Sequence, residues 1–142
     1  MATTDRYLVY PAAASGISRA SSGGAAWSFS AYTELVPVNT ITAGYEVVGL
    51  TFMPPTPAAA ADTTYEVLME LATGLASAEV LIAQFPHIFR FDTLAGPQIP
   101  ARVILPNPKT VAANTRLSVR VAQSLATTSQ TYNGIKLLYK TA

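Results

Sequence analysis

The sequence predicts an all-β protein: an antiparallel β-sandwich or jelly roll of about eight short strands, preceded by an extended N-terminal arm. Three observations predict it. Ten prolines and eight glycines cut the 142 residues into pieces too short for long helices. Several of those pieces alternate apolar and polar residues at the two-residue period of a strand. Turn signals recur roughly every 8–15 residues, the spacing of sandwiches and barrels. The length fits one domain with a core of its own.

Taken in order, residues 1–24 are rich in Ala, Ser and Gly and have no period, so they read as the arm, with residues 25–142 as the sandwich. Within the arm, the quartet Tyr7-Leu8-Val9-Tyr10 must bury somewhere, on its own sandwich or on a neighbour. In Ala26–Thr33, Trp27, Phe29 and Ala31 alternate with Ser28, Ser30 and Tyr32, which predicts a strand with Trp27 and Phe29 in the core. Tyr45–Phe52 is a β-branched and aromatic run of buried-strand type. The loop Met53–Ala61, with Pro54, Pro55 and Pro57, cannot be a central strand because proline lacks the ladder donor. Thr63–Gln84 admits two readings. As a helix, Glu66 and Glu70 share a face and Gly74 caps the end; as a hairpin, Tyr65, Val67, Met69 and Leu71 face the core and Gly74 makes the turn. The hairpin is preferred, because a lone helix among strands would need a sheet face to cover. Ala101–Leu105 is a short strand inside the proline-stiffened stretch Gly96–Pro108. In Thr115–Gln123, Leu117, Val119 and Val121 alternate with Arg116, Ser118 and Arg120. Asn133-Gly134 marks a turn before a last strand that sets Ile135, Leu137 and Tyr139 on one face.

Composition narrows function. Only 12% of residues are charged, against about 25% in ordinary soluble domains. A net charge of +1 leaves no basic stripe for nucleic acid. The absence of cysteine excludes disulfides, thiolate nucleophiles and Cys-based metal sites. Of the 50% hydrophobic residues, 24 are alanines, which pack little area each, and prolines break the least charged windows, Tyr7–Ser18 and Val47–Ala61, well short of the ~20 apolar residues of a span, so no membrane span is expected. Ala12-Ala13-Ala14-Ser15 resembles a cleavage site, but the apolar run before it is too short and Asp5 sits where basic residues belong, so no leader is expected.

No residue set announces a reaction, and no catalytic residue, metal ligand or cofactor site is expected. His87 is the lone histidine and has no nucleophile or orienting acid in a recognisable motif. Glu66 and Glu70 as a glycosidase pair would stand about 13 Å apart on a strand rising about 3.3 Å per residue, beyond the ~5–9 Å that chemistry needs. They read instead as an outward face opposite Arg116 and Arg120, which share their spacing, forming cross-strand or intersubunit ion pairs. Gly23-Gly24 lacks the strand and Lys-Ser/Thr of a phosphate loop and reads as a flexible link.

Two segments carry a resemblance. Ala72-Thr73-Gly74 followed by Glu79-Val80-Leu81-Ile82-Ala83 resembles a hairpin of the small jelly-roll structural proteins of tailed bacteriophages. Val111-Ala112-Ala113-Asn114-Thr115-Arg116-Leu117-Ser118-Val119-Arg120 is similar to their loop-into-strand entry. The likeness runs from about Tyr45 to Tyr139. It implies a virion component without a cofactor, foremost a capsid decoration (cement) protein made in the host cytoplasm and carried on the capsid exterior. The partners it implies are its own copies, as a homotrimer, and the major capsid protein or other virion subunits. Low charge agrees, because interface cores are depleted in charged residues. The candidate interface comprises Tyr7, Leu8, Val9, Tyr10, Pro54, Pro55, Glu66, Glu70, Arg116 and Arg120. The alternative is a carbohydrate- or receptor-binding jelly roll of a tail fibre, with Tyr32 and Tyr132 as the nearest aromatic platform.

Overall fold

A computed structural model describes residues 7–12, 16–21, 25–54, 63–91, 100–124 and 130–141. Pro55, Pro57, the Ala58–Ala61 tract and Gly23-Gly24 lie outside the described residues. The described chain is all β. Its nine strands are β1 (Leu8–Tyr10), β2 (Ile17–Ala20), β3 (Thr33–Val36), β4 (Tyr45–Phe52), β5 (Thr63–Thr73), β6 (Val80–Phe91), β7 (Ala101–Val111), β8 (Leu117–Gln123) and β9 (Thr131–Thr141). They form two antiparallel sheets packed as a β-sandwich, one ordered β1-β9-β4-β7 with β2 also on β9, the other β3-β8-β5-β6. Only β5 and β6 form a hairpin within one sheet; every connection from β2 to β5 and from β6 to β9 crosses to the other sheet.

The core lies between the sheets. Val47, Leu50, Phe52, Ile135 and Leu137 of the first sheet meet Val67, Met69, Leu71, Phe85, Leu117, Val119 and Val121 of the second, and all of these side chains are buried. Each such burial contributes about 1.5–3 kcal/mol. The hairpin reading of Thr63–Gln84 holds: Val67, Met69 and Leu71 alternate into the core, and Gly74 turns the chain at φ +112, where a Cβ would lie 2.6 Å from the Ala78 carbonyl oxygen.

The described part of the arm is extended and belongs to the first sheet. β1 and β2 lie end to end along β9, from Leu8 opposite Tyr139 to Ala20 opposite Thr131. The quartet therefore docks on its own sandwich. Tyr10 packs against the core while Tyr7, Leu8 and Val9 keep much of their surface exposed at the sheet edge.

Three local predictions are corrected. Residues 25–32 are not a strand, and Trp27 is exposed rather than in the core. Its backbone takes the left-handed φ of 60°, which breaks the alternation, and the indole stays exposed. Asn133-Gly134 is a bulge inside β9 rather than a turn before it: Gly134 takes φ +62 and the β2 register slips beside it. Gly16 passes so close that a Cβ there would stand 2.7 Å from the Ile135 carbonyl oxygen. The third concerns Pro106 and Pro108. They lie within β7, which is longer than Ala101–Leu105 because it is a sheet edge: Gly49 of β4 faces Ile104 and Val47 faces Lys109, so the residues between bulge off the ladder.

At the same bulge, a Cβ on Gly49 would collide with the Val103 carbonyl oxygen of the neighbouring strand. Gly49→Ala is expected to lower stability by about 1–3 kcal/mol. Gly44→Ala, whose Cβ would meet only Val111 O at 3.9 Å, is expected to be near neutral. Urea midpoints at unchanged m-value measure both.

Candidate functional site

The outer face of the β3-β8-β5-β6 sheet carries the polar chemistry. Register places Arg120 of β8 directly opposite Glu70 of β5, and Glu70 opposite Gln84 of β6. Arg120 Nε donates to Glu70 Oε2 at 2.6 Å, and Gln84 Nε2 donates to Glu70 Oε1 at 2.9 Å. Glu70 is buried, and its partners satisfy both oxygens as burial of a carboxylate requires. Above them, the Arg120 guanidinium lies 4.3 Å from the Phe29 ring centre and 4.7 Å from that of Tyr32. Burial pushes the Tyr32 hydroxyl pKa up, with Arg120 pulling against it.

These contacts hold the irregular segment 25–32 against the sheet. Backbone bonds run from Trp27 N to Gln123 O at 2.7 Å and from Ser30 N to Val121 O at 3.0 Å, and Ser30 Oγ accepts from Val121 N and from Arg19 Nε. Trp27 is thereby held in the left-handed region, which costs an ordinary residue about 1–2 kcal/mol, with its indole standing out from the sheet. Beside it an open groove of about 630 Å³ runs across β5 and β6, lined by Trp27, Glu66, Leu68, Pro86 and Ile88 and floored by Val67 and His87. A smaller cleft of about 350 Å³ lies between the edge strands, among Leu81, Gln84, Leu105, Pro106 and Lys109.

The sequence-predicted interface residues divide. Glu70 and Arg120 meet as a cross-strand pair within the chain. Arg116 does not meet Glu66 or Glu70. It binds Glu34 at 2.8 Å, Glu79 at 3.5 Å and the Gly74 carbonyl at 2.9 Å, tying the β5–β6 turn to β3, because its register lies one hairpin end beyond Glu70. Glu66 faces Ser124 instead, its backbone N–H bonding Ser124 Oγ at 2.9 Å, and its side chain is exposed at the groove. Tyr7–Tyr10 lie on the other sheet's edge, Pro54 is buried, and Pro55 is outside the described residues. Tyr132 is fully buried with its hydroxyl donating to Gln123 Oε1, and Tyr32 is engaged with Arg120, so neither offers a free platform. Among the described residues no three His, Asp or Glu side chains gather in a metal-binding group. No family model matches the chain, and no curated protein matches its sequence.

His87 sits in β6, half-buried, with its ring 4.6 Å from Phe89 and 6.0 Å from Phe52. Burial pushes its pKa below the ordinary 6.5. Between the folded value and 6.5 the unfolded chain holds more protons, so stability is full above 6.5 and falls as the pH drops through that window. His87→Gln is expected to flatten this dependence, read as the change in urea midpoint between about pH 7.5 and about pH 5. Removing Arg120 strands the buried Glu70 carboxylate. Because Arg120 is itself a third exposed, Arg120→Ala is expected to cost about 2–3 kcal/mol, below the full buried-pair penalty. The Glu70→Gln/Arg120→Ala double variant is expected to cost less than the sum of the singles.

Proposed function

We propose that this chain is a structural subunit that works by binding other proteins, and specifically a capsid decoration protein that packs on the exterior of a phage capsid as a homotrimer. The strand order supports a jelly roll. With β1 extending β2, one four-position sheet faces another, and consecutive strands change sheet at all but the β5–β6 hairpin. Jelly rolls recur in viral capsid and lectin domains. Fold alone does not assign function, and the observation that carries the reading is on the surface. Leu75, Val80, Leu81, Ile88 and Ile104 stand 44–73% exposed along the β5–β6 hairpin and the β6 and β7 edges. Apolar side chains left exposed along two sheet edges supply area that contact with other protein would bury.

Both edges also carry prolines, Pro86 in β6 and Pro106 and Pro108 in β7. These interrupt strand-to-strand addition, so the apolar side chains are available for face contacts without open-ended sheet growth. Binding energy of this origin, repeated over a symmetric shell, clamps neighbouring subunits and resists outward pressure. Purified protein added to undecorated phage shells is expected to co-sediment with them and raise their rupture temperature, and its mass in solution is expected to be that of three 15.0 kDa chains. Absence of both co-sedimentation and thermal effect overturns the reading.

A further inference from the structure

We infer that the Trp27 groove is a docking site for an extended segment of a partner protein that seats an apolar side chain against Trp27, Leu68 and Ile88 and places a lysine or arginine beside Glu66. The inference rests on the reading of this chain as a binding subunit and adds the surface and the chemistry of what it binds.

Charge complementarity selects the occupant. Five glutamates are described. Glu34 and Glu79 share Arg116, Glu46 holds Lys140, and Glu70 holds Arg120. Among the described residues Glu66 has no ion-pair partner, and it stands exposed on the wall of an otherwise apolar groove. A carboxylate beside apolar walls matches a segment that carries a cation next to an apolar anchor. The groove's volume of about 630 Å³ suits one anchoring side chain with its neighbours. The Trp27 backbone is pre-positioned: its bond to Gln123 fixes the residue beside the groove, so little main-chain freedom is lost when a partner covers it. Exposed tryptophan beside an apolar pocket is the residue type on which binding energy concentrates.

A sugar fits less well. Pyranose sites need several polar groups free to bond hydroxyls, and the nearest ones here, Glu70, Arg120 and Gln84, are bonded to one another. Pro86 on the edge strand removes a ladder donor, so the segment is held through its side chains on the sheet face rather than as an added strand.

Trp27 is the sole tryptophan, so its emission reports the groove directly. The full chain is titrated with short synthetic peptides bearing one leucine, isoleucine or phenylalanine and one lysine or arginine one to three positions away. Twins carrying glutamate in place of the cation, and neutral oligosaccharides, form the other arms. Cationic peptides are expected to shift Trp27 emission to the blue saturably and to bind about fivefold or more tighter than their glutamate twins, with Glu66→Gln abolishing that preference. Ile88→Ser, at a site 60% exposed and so without a folding penalty to confuse the result, is expected to weaken binding about tenfold. Equal binding of cationic and acidic peptides, no emission change with any peptide, or a response to oligosaccharide alone overturns the inference. The same two variants in the shell assay separate the two claims. A wild-type chain that fails to sediment counts against the capsid role while the peptide result stands. A wild-type chain that sediments, with both variants sedimenting equally well and peptides silent, removes the groove and leaves the role.

Discussion

A single arginine organises the second sheet. Arg120 is fixed by the Glu70 carboxylate on one strand and covered by Phe29 and Tyr32 from the segment before β3. Cation–π contacts contribute about 0.5–2 kcal/mol each, more as water is excluded. That cluster gives residues 25–32 a reason to lie on the sheet although they do not join its regular ladder. Ala122 and Ser118, which flank Arg120 on the same face of β8, are fully buried although they point away from the core. Trp27 is placed where the cover ends, and the groove opens there. Loss of the arginine would remove the cation–π anchor of Phe29 and Tyr32 and leave the cover to the backbone bonds of Trp27 and Ser30.

The low charge of the chain takes its meaning from the same arrangement. The charges it has are largely spent internally: Arg120 on Glu70, Arg116 on Glu34 and Glu79, Lys140 on Glu46. Beside Glu66 on the groove and Arg102 and Lys109 on β7, the β6 and β7 edges expose Leu81, Ile88 and Ile104. Such a surface gains by contact with other protein, and the edge prolines steer that contact towards faces. Strand addition, by which exposed sheet edges aggregate, is hindered at these two edges by Pro86, Pro106 and Pro108.

Much of the sandwich was legible in the residues themselves. Strands that bury one face, such as β5 with Val67, Met69 and Leu71 or β8 with Leu117, Val119 and Val121, announce themselves by alternation, and the structure follows it. Alternation misled at Trp27 and Phe29, because a period of two presumes extended backbone, and residues 25–32 form no strand with Trp27 in the left-handed region. Asn133-Gly134 carries the residue types of a turn, but left-handed backbone serves a bulge equally well, and only the approach of Gly16 decides. The candidate site was half visible. The equal spacing of Glu66/Glu70 and Arg116/Arg120 pointed to cross-strand pairing, yet spacing leaves the register free. The observed register pairs Glu70 with Arg120 and sends Arg116 to the hairpin turn. The groove was not legible, since Trp27, Leu68, Pro86 and Ile88 come from three segments that only the sheet brings together.

Hydrogen exchange of the chain alone and bound to assembled capsid shells tests most directly whether the β3-β8-β5-β6 face is the binding face. Protection on binding is predicted around Trp27, in residues 66–70 and in residues 84–89, with the outer face of the β1-β9-β4-β7 sheet unchanged. Protection confined to β1, β9 and β4, with the groove exchanging as in the free chain, would contradict it.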